Sequence, residues 1–134
     1  MFDIIDLSNI DKKVYHIGNL DQKIISLLQL NVIEGKILLD ADRLKYIEKH
    51  KTDFPSEDAY KAHVEKIPEI IQKPDYLCLH PDGTSIKFFK KFDENIIVAI
   101  RLSKKDLYWV KTFYPITESK FKAYIDSGAL KKLE

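Results

Sequence analysis

The chain has 134 residues, 45% hydrophobic and 32% charged, with a net charge of +1, a composition that suits one domain, residues 1–134, around one core. No apolar run approaches the ~20 residues that cross a bilayer, and the N-terminal MFDIIDLSNIDKK lacks the basic start and apolar block of a signal peptide. The single cysteine, Cys78, excludes an internal disulfide framework, so the expectation is a reducing, cytoplasmic compartment and no membrane partner.

In chain order, KKVYHIG alternates and stops at Gly18, which predicts a short strand. NLDQKIISLLQLN predicts a helix, with Asn19 able to cap it and Leu20, Ile24, Leu27 and Leu28 on one stripe. GKILLD is a second short strand. A helix then starts at Asp40, turns Leu44 and Ile47 inward, and ends near His50. Ser56 caps a helical stretch that runs to Pro74, with a break near Lys66 imposed by Pro68. From Tyr76 the period changes to two: DYLCLH, TSIKFFKKF, ENIIVAIRLS and DLYWVKTFY are four strands joined by HPDGT, DEN and SKKD. Short loops make them antiparallel neighbours. Thr117 caps a last helix that Gly128 ends. The order predicts an α+β fold, with N-terminal helices packed on a roughly four-stranded antiparallel sheet and a C-terminal helix.

Alternation sorts the strand residues by face. If the SKKD turn pairs Leu102 with Leu107, then Ile96, Val98 and Ile100 share an apolar face with Leu107, Trp109 and Phe113, and Lys111 is its odd member. The other face carries Ile97, Ala99, Arg101, Tyr108, Val110, Thr112 and Tyr114. Lys90 joins it if the DEN turn pairs Lys91 with Ile96, although a slip of one residue would reverse such an assignment. Cations, hydroxyls and aromatic rings on rigid strands can bind a phosphodiester, but they are also ordinary on a solvated sheet face.

Charge is uneven. Residues 1–58 carry 8 Lys/Arg against 11 Asp/Glu, and residues 59–134 carry 14 against 10. A basic half attracts an anionic partner such as nucleic acid. No pair of histidines has HExxH spacing and one cysteine offers no zinc cluster. His80 belongs to a turn, His16 to a short strand, and His63 to a helix as a partly buried, satisfied histidine. His50 ends its helix, where the dipole favours a protonated ring; histidine is also the side chain suited to acid–base work near neutral pH. Cys78 lies in an apolar run and reads as a packed core thiol.

The fragments HIGNLDQKIISLL, ILLDADRLKYIEKHKTDF, IPEIIQKPDYL, SIKFFKKFDENIIVAIRLS and WVKTFYPI, in this order, resemble the phage- and toxin-associated nuclease domains of the BECR superfamily (barnase, EndoU, colicin tRNA nucleases, RelE-like). The likeness spans nearly the whole chain. It implies a BECR-like fold and endoribonuclease activity without metal or cofactor: a 2′-hydroxyl attacks the adjacent phosphorus and leaves a 2′,3′-cyclic phosphate and a 5′-hydroxyl. The resemblance implies His50, Arg101 and Thr112 as catalytic residues, with Lys90, Tyr114 and Tyr46 in substrate binding. Relatives often carry a histidine four residues before the position of His50, where this chain has Tyr46; on a helix those positions share a face. The partners implied are RNA, with tRNA among the candidates, and an immunity protein or antitoxin. The alternative is a non-catalytic RNA-binding or protein-interaction module on the same scaffold, which Tyr46 and the near-zero net charge favour. A small-molecule enzyme ranks last, because the chain has no Gly-rich phosphate loop and no nucleophile elbow.

Overall fold

The structure, a computed structural model, describes residues 2–133. Its centre is a six-stranded mixed sheet in the order β1-β2-β6-β5-β4-β3. The strands are β1 (Val14–Leu20), β2 (Gly35–Asp40), β3 (Tyr76–Leu79), β4 (Ser85–Lys91), β5 (Asn95–Arg101) and β6 (Leu107–Ile116). Strands β3 to β6 form the expected antiparallel meander. The expected four-stranded sheet is nevertheless too small. The hairpin of β1 and β2 joins it through a parallel pairing of Lys36–Leu38 with Leu107–Trp109. A parallel partner needs a long crossover and leaves no turn signal beside it in the sequence, so the pairing is invisible to local reading.

Helix α1 (Gln22–Leu27) lies between β1 and β2, and α2 (Ala41–Ile47), a 3₁₀ helix (Glu48–Asp53), α3 (Glu57–Val64) and α4 (Ile67–Gln72) lie between β2 and β3, so the helices do not precede the sheet. Side chains from α1 to α4 form the main core with one face of the sheet: Ile24, Leu44, Ile47, Val64, Ile67 and Ile70 pack with Ile86, Phe88, Ile96, Val98, Ile100 and Phe113. Helix α5 (Glu118–Ser127) lies on the opposite face, over Phe89, Ile97 and Ile116. Local chemistry sets the ends. Asp40, Ser56 and Thr117 accept from the backbone N–H groups of Asp42, Ala59 and Lys120. Gly128 ends α5 with φ +74°. Asp21, not Asn19, caps α1, and Leu20 belongs to β1. Helix α3 stops at Val64 and α4 restarts with Pro68 in its first turn, which is the expected break.

Two register details decide what each face presents. Opposite β5, Thr112 pairs with Ala99 but Val110 pairs with Ile100, so Lys111 is an extra residue, a β-bulge. Below the bulge the expected faces hold: Phe113 is in the main core, and Thr112 and Tyr114 are on the other side. Above it they reverse. Tyr108 and Val110 are buried in the main core, whereas Trp109 and Leu107 face outward, 36% and 37% exposed. At the other hairpin Lys91 pairs with Asn95, so Lys90 pairs with Ile96 and points to the helix-covered side. Its placement beside Thr112 is therefore corrected.

The β1–β2 hairpin also depends on a close approach. Lys36 N–H donates to the Asp106 carbonyl at 3.1 Å, and a Cβ on Gly35 would overlap that carbonyl. Gly35→Ala is expected to destabilise the fold by about 2–3 kcal/mol, measured as a lower urea midpoint with an unchanged m-value.

Candidate active site

The outer face of the meander is built in rows. Tyr76, Phe89, Ile97 and Tyr114 form one row, Cys78, Lys87, Ala99 and Thr112 the next, and Ser85, Arg101 and Trp109 a third. Helix α5 covers the first row: the Tyr124 ring stands edge-on to Phe89 at 5.0 Å, and Phe121 packs near Tyr76 at 5.9 Å. Its cover ends at Lys87, whose Nζ donates to Tyr124 Oη at 3.0 Å. Burial opposes the charge on Lys87, yet its hydrogen bond to Tyr124 and the nearby phenols hold its pKa above the ordinary lysine value. Burial pushes the Tyr114 phenol and the Cys78 thiol up, with Lys87 opposing both shifts. Lys87 thus stays a fixed cation beside the protonated Tyr114 phenol and a protonated thiol, and Cys78 is the packed core thiol that its context suggests.

Beyond the bulge, β6 is paired with β2; from Lys111 onward its outer edge has no strand partner. The 3₁₀ helix straddles this edge. Phe54, at its end, stacks on Phe113 from the core side, with centroids 5.6 Å apart and planes 9° from parallel. His50 lies on the outer side, its ring 5.6 Å from that of Tyr114. His50 Nδ1 is 3.0 Å from Asp53 Oδ2. An ionised carboxylate can only accept, so Nδ1 carries the hydrogen and Nε2 is the nitrogen open to a reacting group. His50 is therefore oriented by a carboxylate on one side and an aromatic ring on the other.

Along the same edge α2 presents Tyr46. Lys49 Nζ donates to its Oη at 2.8 Å, and the Arg43 guanidinium lies 4.6 Å from its ring. The hydrogen bond from Lys49, reinforced by the charges of Lys49, Arg43 and Lys111, holds the phenol below the ordinary tyrosine value. Arg43, Lys49, Lys87, Arg101 and Lys111 have no carboxylate partner among the described residues; the ion pairs there use Lys12, Lys13, Lys51, Lys61, Lys90 and Lys91. Thr112 Oγ1 is shielded from solvent and has no hydrogen-bond partner among the described residues. Such a hydroxyl is uncommon in a folded protein and marks a position of stored polar capacity.

His50, Tyr114 and Thr112 thus share one side of β6, with Tyr46 at its rim. Arg101 sits diagonally across from Thr112, and such a diagonal separates Cβ atoms by roughly 7–8 Å. Lys90 is apart from this group. Its Nζ donates to Lys73 O at 2.7 Å and lies 3.5 Å from Asp75 on the opposite face. Two members are not in the sequence-derived set. Lys87 alternates with Phe89 and could have been found by period alone, had the turn register been known. Asp53 follows His50 by three residues, a helical spacing that permits contact. The other histidines are elsewhere: His80 pairs with Asp82 in its turn, and His16 Nε2 meets Asn19. His63 is more buried than expected, 2% exposed, and not fully satisfied: Nδ1 is on the Ala59 carbonyl and Nε2 has no partner among the described residues. Among the described residues no cluster of three or more His, Cys, Asp or Glu could hold a metal ion, and no helix is long and apolar enough to cross a membrane.

The molecule is thus an α+β protein with an open, cation-lined sheet face. A family model described as phage-Barnase-EndoU-ColicinE5/D-RelE like nuclease3 matches residues 15–123, and the chain belongs to that nuclease family. No curated protein and no solved structure gives a significant match. The matched span contains every residue of the cluster and both register features that create it.

The cation shell around Tyr46 has a direct readout. In a tyrosinate absorbance titration, Tyr46→Phe should remove the earliest-titrating phenol. Lys49→Met should move that phenol up toward the ordinary tyrosine value, because its largest cause of depression is lost.

Proposed function

We propose that this nuclease is a metal-independent endoribonuclease of the toxin-like or phage-associated kind. One observation carries the reading: an imidazole oriented by Asp53 lies against Tyr114, on the strand side that bears Thr112, with the unpaired Arg101 further along the same face, diagonal to Thr112. His50 Nε2 takes the proton of the 2′-hydroxyl as its oxygen bonds to phosphorus. The P–O5′ bond breaks, the leaving 5′-oxygen takes a proton from solvent water, and the His50 imidazolium returns its proton to solvent. The products are a 2′,3′-cyclic phosphate and a 5′-hydroxyl. Arg101 supplies a planar fork of donors for the phosphorane oxygens, Lys87 adds a fixed positive charge, and Thr112 positions the phosphate. Tyr114 holds the imidazole, and Tyr46 binds at the rim. Lys90 takes no part in this scheme, since its ammonium group is bound to Lys73 O. An open sheet face favours a polymer over a small molecule; five cavities elsewhere on the surface are lined by other residues than His50, Arg101 and Thr112.

A second reading, RNA binding without cleavage, is favoured by Tyr46 standing where relatives often carry a histidine. Incubation with bulk tRNA, with and without EDTA, separates the two. EDTA-resistant cleavage ending in cyclic phosphate supports the enzyme; retention without cleavage supports the binding module. In the first case His50→Ala should lower the rate by roughly 10²–10⁴. Arg101→Ala should remove most activity while the circular dichroism and urea midpoint stay near wild type, because Arg101 is exposed.

A further inference from the structure

Trp109 is the only tryptophan of the chain. A tryptophan on a central strand ordinarily turns into the core, because it is the largest apolar side chain available. Here the bulge at Lys111 turns it out, 36% exposed, onto the uncovered part of the sheet. Its neighbours make a definite surface. Leu38 of β2, nearly buried, flanks it on one side, and Arg101 of β5 on the other. Lys36 and Leu107 pair two residues away on each strand, on the same face, and both are exposed. Asp40, the carboxylate further along β2, is committed to capping α2 through Asp42 N–H at 2.8 Å. The patch thus offers a flat ring on a rigid support, beside a guanidinium with no carboxylate partner among the described residues. Trp109 pairs with Arg101 and Thr112 with Ala99, two residues apart on a strand that rises about 3.3 Å per residue, which puts Trp109 roughly 7 Å along the sheet from Thr112.

We infer that Trp109, with Arg101 beside it, is the stacking platform for an unpaired nucleobase of the RNA strand whose phosphate lies at His50 and Thr112; the inference rests on the function proposed above for the identity of that strand. A base stacked on a sheet aromatic must be free of its complement, since pairing in a duplex hides its face. The platform therefore selects single-stranded or looped RNA over duplex. It also sets a direction: the strand runs along β6 from Tyr114 past Thr112 to Trp109. Arg101 serves both ends of this track, holding the phosphate and bordering the base.

The single tryptophan is its own reporter. A labelled single-stranded 2′-O-methyl oligoribonucleotide lacks the attacking hydroxyl and cannot be cleaved. Titrated into the full chain, it should quench Trp109 emission with the same midpoint as the rise in label anisotropy. Trp109→Ala should weaken binding roughly ten-fold, Trp109→Phe less, and the blunt duplex of the same sequence should leave the emission unchanged. Binding by anisotropy with no change in Trp109 emission overturns the inference, as does an unaltered affinity in Trp109→Ala or the absence of any binding. If Trp109→Ala fails to fold, quenching of the wild-type chain still decides. Cleavage of bulk RNA, scored separately, keeps the two ideas distinct. Cleavage without quenching sinks only the stacking platform. Quenching without cleavage sinks only the enzymatic reading.

Discussion

Lys111 has no partner on β5, and that one unpaired residue organises the outer face. A bulge adds a residue to one strand only, so the side-chain alternation on either side of it is out of phase. Tyr108 and Val110 enter the main core above it, and Phe113 enters below it. Without the extra residue one of these two sets would turn to solvent, at roughly 1.5–3 kcal/mol for each large apolar side chain exposed. The same phase change leaves Thr112 and Tyr114 outward on one side and Trp109 outward on the other. A continuous strand of regular alternation could not present all three with its core residues buried.

The second constraint is the short reach of β2. Its parallel pairing with β6 ends at Trp109, which frees the edge beyond the bulge. An unpaired edge exposes backbone donors and acceptors and is normally covered. The 3₁₀ helix supplies the cover, held by Phe54 stacked on Phe113 and by Tyr60 beside both rings. His50 is carried on this cover. Its placement against Tyr114 is thus a product of core packing on the other side of the strand, and the Asp53 carboxylate then chooses which nitrogen faces out. Lys51, Lys61, Lys90 and Lys91 are paired with carboxylates, while Arg43, Lys49, Lys87, Arg101 and Lys111 on the bulged edge and the outer face have no carboxylate partner among the described residues.

Much of this was legible from local pattern. The caps at Asp40, Ser56 and Thr117, the break before Pro68 and the four strands of the meander are each set by a few adjacent residues, and each matches the structure. Alternation places Thr112 and Tyr114 on the outer face because it is reliable within one uninterrupted segment. It exchanges Trp109 and Val110 because the bulge is a property of two strands, not of one. It misplaces Lys90 because a hairpin register one residue longer fits the DEN turn equally well by composition. His63 looked like an ordinary helical histidine, yet the stacked rings of Phe54 and its neighbours enclose it completely.

By itself, then, the amino-acid sequence determined the elements, the meander and the kinds of side chain available to a site, because helix caps, turns and periodicity act over a few residues. It also carried enough of the family's order of motifs to point to a nuclease. The tertiary structure alone decided that β1 and β2 extend the sheet, that Lys111 bulges, that Lys87 and Asp53 join His50 and Thr112, and that Trp109 faces outward. These are choices between registers with nearly equal local energies. They are resolved only by the apolar area that each register buries against helices dozens of residues away.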